Sequence, residues 1–423
     1  MWRAESPPRS ERRNPIQEVA SGAALWLVVA LAFAVPLSSA ASNVISALLV
    51  LAWLAAGELR ARWQRIRAHP LALASIGLWL LIVCAASWSP VPWGESWRHI
   101  EKYARLLLVA IVVSVVVDEQ WRRRALMAWA AAMLLTLGLS YVHALWPFPG
   151  ARATRELAVG DHYIFKHHIT QNVMMSVFAV VALAEAVRRS LSGGLTPGVM
   201  LWLLLAVLSV ANILFFVQGR TGYLTLLVNL LLVAVLLLRV RRWALAAPAL
   251  LVAFGAAAMS SELVRERTRM ALEEARAGGE TAVETSVGRR AEFARLSWEL
   301  IRERPFMGWG TGAYGEQFCR VAKTSVWCEV GRYNPHNQWL FLGVQLGALG
   351  LIGLALWWVI ACASVWRLDP LDRLVGVALV ATFAVHSLVD SPLYIATESV
   401  WYPLHLALLT TPAAHWRMED RRG

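Results

Sequence analysis

The chain has 423 residues, of which 58% are hydrophobic and only 16% charged. A soluble globular chain carries roughly 45–50% apolar and about 25% charged residues, so this composition, with a mean hydropathy of +0.52, excludes that class and predicts an all-α polytopic membrane protein. The formal charge of +12 has no basic stripe with stacking aromatics beside it, which argues against nucleic acid as a partner.

The first residues, "MWRAESPPRSERRNPIQEV", are polar and basic and lead into an apolar run with no evident cleavage site. They read as a retained cytoplasmic tail over 1–20 and not as a signal peptide. Apolar runs of about 17–25 residues match the roughly 30 Å hydrocarbon core of a bilayer. They predict about twelve helices, at 21–38, 42–58, 70–88, 104–118, 124–147, 171–187, 197–216, 222–238, 243–260, 337–362, 373–389 and 398–413. Only "VQGRTG" separates the seventh and eighth, so one broken hairpin is the alternative there. Many of the 22 Trp sit at the ends of these runs, as in an interfacial belt. The chain thus divides into transmembrane helices 1–9 over 21–260, a loop domain over 261–336 between helices 9 and 10, helices 10–12 over 337–413, and a tail over 414–423.

Alternate short loops are basic: "RSERR", "RARWQRIR", "WRRR", Arg188-Arg189, "RVRR", "WRLDPLDR" and "HWRMEDRRG". The positive-inside rule makes these, and both termini, cytoplasmic, and puts the long loop outside. The outer side then holds the chemistry: Arg98, His99 and Lys102, "GDHYIFKHHIT" at 160–170, "VQGRTGY" at 217–223, the long loop, and "VDSPLY" at 389–394. No P-loop, kinase or dinucleotide motif appears. An enzyme built this way works where ATP is absent and takes its energy from the substrate, for example a diphosphate ester.

Within the long loop, "SELVRERTRMALEEARAGG" reads as a polar helix ended by glycines. "SVGRRAEFARLSWELIRERP" reads as an amphipathic helix with Phe293, Leu296, Leu300 and Ile301 on one face. Arg289 and Arg290 open it, beside free N–H groups that favour anions. Pro305 stops it, and "MGWGTGAYGEQF" supplies a glycine-rich turn. Cys319 and Cys328, close together in the same outer loop, are candidates for a disulfide, whereas Cys84 and Cys362 fall in apolar helices and read as packing residues.

Each candidate has a plainer reading beside it. His336 could cap a helix; yet it follows a rigid "NP", and the dipole of the helix after it favours an uncharged imidazole able to accept a proton. Arg220 could snorkel to the interface; yet "GRTG" is a short turn that holds the guanidinium where a lipid diphosphate lies, and its planar fork suits phosphate oxygens. Arg267 and Arg269 read as a solvated helix face with Glu262 and Glu266, while Arg265, nearest the membrane, is kept as a candidate. His162, Lys166, His167 and His168 form a basic cluster before a helix, where a metal site is one reading although the spacing matches no established ligand pattern; Lys166 and His168 are also candidates for orienting the site or touching the acceptor. Asp390, with Tyr394 close behind, orients a basic group or caps the next segment. His143, His386 and His405 lie within helices and bridge neighbours.

"HNQWLFLGVQLGALG" carries a resemblance. His336-Asn337, nine residues, Gly347, two residues and Gly350 follow the H-[NSQ]-x9-G-x-x-G pattern of the O-antigen ligase family, within the larger O-antigen ligase and polymerase superfamily. Leu351 follows, where many members carry Thr. "GRTGY", "GRR" and "RPFMGWGTGAY", in that order, add to it. The resemblance implies a GT-C-like fold in a bacterial inner membrane and a periplasmic active site needing neither metal nor cofactor. Its implied reaction moves O-antigen polysaccharide from undecaprenyl diphosphate to an outer-core sugar of lipid A–core. His336 would be the general base, Arg220, Arg289 and Arg265 would hold the diphosphate, and Asp390, Asn337, Tyr394 and Arg290 would orient the site or touch the acceptor. The helices would open laterally for the lipid tails. An O-antigen polymerase and a protein O-oligosaccharyltransferase share the donor and remain alternatives. A lipid-linked glycan transporter would need polar groups along a transbilayer path, and the helices show few.

Overall fold

The computed structural model describes residues 14–237, 252, 254–262, 264–266, 268–270, 283 and 285–411. Among these the chain is helical, with no strand. Among the described residues eight helices are long and apolar enough to cross a membrane, or nine if a pair bent by 117° is one span, against about twelve predicted. Four of them are α1 (Pro15–Ala34), the fourth helix with its terminal turn (Pro70–Trp88), α7 (Glu119–Leu145) and α9 (His168–Gly193). The others are α10 with its terminal turn (Pro197–Phe216), α11 (Arg220–Leu237), α15 (Gln338–Trp366) and α16 (Pro370–Val389).

The differences have physical causes. The first helix begins at Pro15 and not near 21, because Asn14 and Gln17 close a capping box on its start. The second predicted span is α2 (Ser39–Ala55), which turns by 117° into a short basic helix, α3 (Leu59–Arg67). The bend runs through Gly57 and Glu58, both at positive φ. Predicted 104–118 is a 3-10 turn followed by α6 (Leu108–Val115), and every residue of α6 is buried. Predicted 398–413 is α17 (Glu398–Thr410), also buried throughout and interrupted by Pro403. Helices sheathed by protein on all sides need not match the bilayer thickness, because neighbours satisfy their ends. The hairpin resolves into two helices, α10 ending in a π turn over Asn212–Phe216 and α11 starting at Arg220. Most of predicted 243–260, most of the N-terminal tail, all of the C-terminal tail, Arg267 and much of the polar loop helix lie outside the described residues.

α9 lies at the centre, packed on α10, α11 and α16. At one end of the bundle Asp372 of α16 accepts from Arg122 of α7 at 3.0 Å and from Arg188 of α9 at 2.6 Å. The other end carries α5 (Trp93–Tyr103), the short helix α8 (Arg152–Arg155) and the loop domain. That domain is built of α12 (Ser286–Glu303), α13 (Tyr314–Val321) and α14 (Ser325–Gly331). Phe293, Leu296, Leu300 and Ile301 of α12 are buried, as their spacing predicts, in a second core with Tyr314, Phe318, Phe341 and Val344. Full burial of such a side chain is worth about 1.5–3 kcal/mol, so this core fastens the loop domain to the start of α15.

Candidate functional site

The start of α15 is a short half-helix, 338–346, because Gly347 breaks the helix at φ 60, ψ −145. The break freed backbone groups that the glycine-rich loop takes up. Trp309 N–H donates to Val344 O at 2.9 Å, Gly310 N–H to Gln345 O at 2.7 Å, and Ala348 N–H to Pro305 O at 2.7 Å. A Cβ on Gly347 would lie 2.6 Å from the backbone of Phe306, and one on Gly350 would lie 2.7 Å from Leu346 Cβ. The two motif glycines thus build the break and its packing, and the histidine ahead of them sits at the exposed tip of the half-helix.

His336 itself adopts φ 52, a left-handed conformation that costs a non-glycine residue about 1–3 kcal/mol. Asn334 holds it there in an Asx turn, its Oδ1 accepting from His336 N–H at 2.9 Å. Asn337 caps α15, its Oδ1 accepting from Leu340 N–H at 3.0 Å, while its Nδ2 donates to Leu388 O at 3.0 Å. The imidazole stacks on Phe293 of α12, with 6.2 Å between ring centroids.

His336 Nδ1 lies 3.1 Å from Asp390 Oδ1. The same oxygen accepts from Asn334 Nδ2 at 3.2 Å and from Ser391 N–H at 2.9 Å, and Ser391 Oγ donates to Asn334 Oδ1 at 2.7 Å. Burial pushes the Asp390 carboxyl up, but the hydrogen bond and charge of His336, with smaller help from His386 and the Ser391 amide, hold it below the usual value. An ionised Asp390 selects the tautomer with its proton on Nδ1, which leaves Nε2 as an acceptor. The His336 side chain is 42% exposed and that of Asp390 10%, so the pair is anchored on one side and accessible on the other.

The remaining candidates belong to other elements. Arg289 and Arg290 are in the first turn of α12; Arg289 is one turn before Phe293, and its Nε reaches Thr285 O at 3.4 Å. Thr285 also caps the helix, accepting from Gly288 N–H at 3.0 Å. Arg220 opens α11, on a turn tied to α9 by Asn172 Nδ2 donating to Val217 O at 3.0 Å. Arg265 is exposed, in a segment anchored where Ser261 Oγ donates to Leu214 O at 2.6 Å. Lys166 is buried and donates to Ser39 Oγ at 2.8 Å; burial pushes it down to about 8, against the pull of the Glu398 charge. His168 begins α9, with Nδ1 4.0 Å from Asp161 Oδ2. The Tyr394 hydroxyl is 3.3 Å from His99 Nε2. Cys319 and Cys328 are bonded to each other, between α13 and α14. Among the described residues no group of three or more His, Cys, Asp or Glu is placed to hold a metal ion.

Three contributors escaped the sequence reading. Asn334 had a signal, since Asn two residues before a loop residue is an Asx-turn pattern. Ser391 had none. Glu398, buried at the start of α17 with Oε1 accepting from Thr170 Oγ1 at 2.6 Å, shows in the sequence only as an acid at the start of an apolar run.

No curated protein matches the chain. Residues 202–355 match the family model described as O-Antigen ligase. The matched stretch contains Arg220, Arg265, Arg289, the disulfide, His336, Gly347 and Gly350, and it ends before Asp390. Over this stretch, somewhat more than a third of the chain, the protein is similar to the O-antigen ligase family.

Proposed function

We propose that the chain is an O-antigen ligase of the bacterial inner membrane. It transfers O-antigen polysaccharide from undecaprenyl diphosphate to an outer-core sugar of lipid A–core at the periplasmic face. The observation that carries this reading is the His336–Asp390 pair at the tip of α15, with Nδ1 engaged at 3.1 Å and Nε2 left to accept. In the proposed step Nε2 takes the proton of the acceptor hydroxyl. The hydroxyl oxygen bonds to the anomeric carbon as the bond from that carbon to the phosphate oxygen breaks, and undecaprenyl diphosphate departs with the electron pair. Attack from the face opposite the leaving group inverts the configuration. Asp390 stabilises the imidazolium that forms. Arg289 and Arg220, with Arg265, balance the charge on the departing diphosphate.

The family match supports a glycan-transferring enzyme in general, and the donor, acceptor and residue roles are the proposal. Domain boundaries and sidedness, with 261–336 as a periplasmic domain, belong to it too. The test is transfer by purified protein from undecaprenyl-diphosphate-linked glycan to lipid A–core, with EDTA and without ATP. Product from the wild type and none from a folded His336→Ala variant is expected. Equal product from the variant would remove the base. No product from the wild type, with extension of a second lipid-linked glycan instead, would make the chain a polymerase.

A further inference from the structure

The donor residues leave a second feature of the site end unused. A cavity of about 870 Å³ lies between α5 and the disulfide-bonded pair of loop helices, and Arg98, Lys102, Arg105, Arg332 and Tyr394 line it. Beside it, between α2, α4 (Pro70–Ala85) and α6, runs an apolar groove of about 730 Å³, lined by Val50, Trp53, Ile76, Leu108 and Ile111 among others. Glu101 and Arg105 line both, so a polar chamber meets a hydrocarbon-compatible groove at one pair of charged residues. An amphipathic ligand with an anionic head and apolar chains has that shape.

The charges of the chamber are unevenly matched. Glu95 is paired with Arg98 at 2.7 Å. Arg105 reaches only neutral groups, Ser399 Oγ at 3.0 Å and Asn43 Oδ1 at 3.3 Å. The Lys102 ammonium lies 3.8 Å from the centroid of the Tyr394 ring. Among the described residues neither Lys102 nor Arg105 has a carboxylate within ion-pair distance. Glu101 and Glu316 also face the chamber, both exposed to solvent. Burial and then the charge of Arg105, with Arg98 adding and Glu101 opposing, hold Lys102 below the usual lysine value. Burial and Lys102 push His99 down to about 4, so it brings no charge. A phosphate seated between Lys102 and Arg105 would relieve this crowding.

The chamber also adjoins the dyad. Tyr394 follows Asp390 by one turn of chain, and Arg332 and Tyr333 run directly into Asn334, which bonds Asp390 at 3.2 Å. Arg289 stands elsewhere, on α12.

We propose that this cleft is the acceptor's own binding site, which seats a phosphate of an acylated glycolipid on Lys102 and Arg105 and lays its chains in the groove between α2, α4 and α6. This rests on the reading of the chain as a lipid-to-lipid glycan transferase, but its test does not require turnover. The experiment measures equilibrium binding of diphosphorylated lipid A, its dephosphorylated form and undecaprenyl diphosphate. The protein is the full chain in phosphatidylcholine nanodiscs, as wild type, Lys102→Gln, Lys102→Arg and Val50→Trp.

The expected result is at least tenfold tighter binding of the phosphorylated than of the dephosphorylated glycolipid. Lys102→Gln abolishes the preference, Lys102→Arg retains it, and Val50→Trp weakens both glycolipids. Undecaprenyl diphosphate binding stays unchanged in Lys102→Gln and Lys102→Arg. Loss of undecaprenyl diphosphate binding in Lys102→Gln would make the cleft the donor site and overturn the proposal. So would equal competition by phosphatidylglycerol, which would reduce it to a general anionic-lipid surface. Binding as expected without transfer activity would instead count against the enzymatic reading alone.

Discussion

Asp390→Asn isolates what the carboxylate charge does for His336. Asn is nearly isosteric, and its Oδ1 keeps the three contacts of the aspartate oxygen, to Ser391 N–H at 2.9 Å, His336 Nδ1 at 3.1 Å and Asn334 Nδ2 at 3.2 Å. The loop geometry should therefore survive while the negative charge is lost. A hydrogen bond to a charged group contributes about 1.5–3 kcal/mol, and each 1.36 kcal/mol is tenfold in rate. The imidazole is 42% exposed, and solvent screening places the effect in the lower part of that range. The expected loss is about 10- to 50-fold in kcat, with little change in KM for either substrate. The assay is steady-state transfer of lipid-linked glycan. Wild-type kcat would show that Asp390 only caps α16, and would refute the dyad as a catalytic unit.

Three other outcomes are expected. Gly347→Ala places a methyl group 2.6 Å from the Phe306 backbone at φ 60 and should cost at least about 2 kcal/mol, seen as a lower melting temperature together with loss of transfer. Reducing the Cys319–Cys328 bond, or Cys319→Ser with Cys328→Ser, should cost about 2–3 kcal/mol for so short a loop, measured by thermal unfolding of the loop domain within the full chain. Lys166 releases its proton at about 8 in the folded chain and near 10.4 when unfolded. The unfolded state therefore binds more protons between these values, and stability should rise with pH across that window; Lys166→Met should flatten the rise in a pH series of melting temperatures.

How far the residues alone reach depends on the range of the interaction. The apolar runs mark α1, α7, α9, α10, α11, α15 and α16 because a membrane span is a local property of composition. The buried face of α12 is legible for the same reason, since Phe293, Leu296, Leu300 and Ile301 repeat at helical spacing. The runs at 104–118 and 398–413 mark α6 and α17 as helices too, but not their shorter length and complete burial, which neighbours set. Nor is the partner of His336. Asp390 stands 54 residues later, and nothing local distinguishes an acid that orients a base from one that caps a helix. The glycines of the motif are visible as a pattern, whereas the break at Gly347 depends on residues 305–310, which come from the preceding loop and complete its hydrogen bonds.

That break also decides what moves with what. Pro305 and Phe306 end the segment that leaves α12, and their carbonyls accept from Ala348 N–H at 2.7 Å and Leu349 N–H at 3.3 Å. At its other end α12 carries Arg289, and between them Phe293 stacks on His336. The proposed diphosphate ligand and the proposed base are thus fastened to one helix and one helix break, with the second core filling the space between them. A group that must act within hydrogen-bond reach of the acceptor hydroxyl gains most from such fixed spacing, because misplacement of about 1 Å can cost a hundredfold in rate. Lys102 and Arg105 belong to α5 and the turn after it, and α5 is tied to the same unit where Gln338 Nε2 donates to Tyr103 Oη at 3.0 Å and Ser96 Oγ donates to Thr311 O at 2.8 Å. An acceptor held there would thus be kept at a fixed spacing from the proposed base.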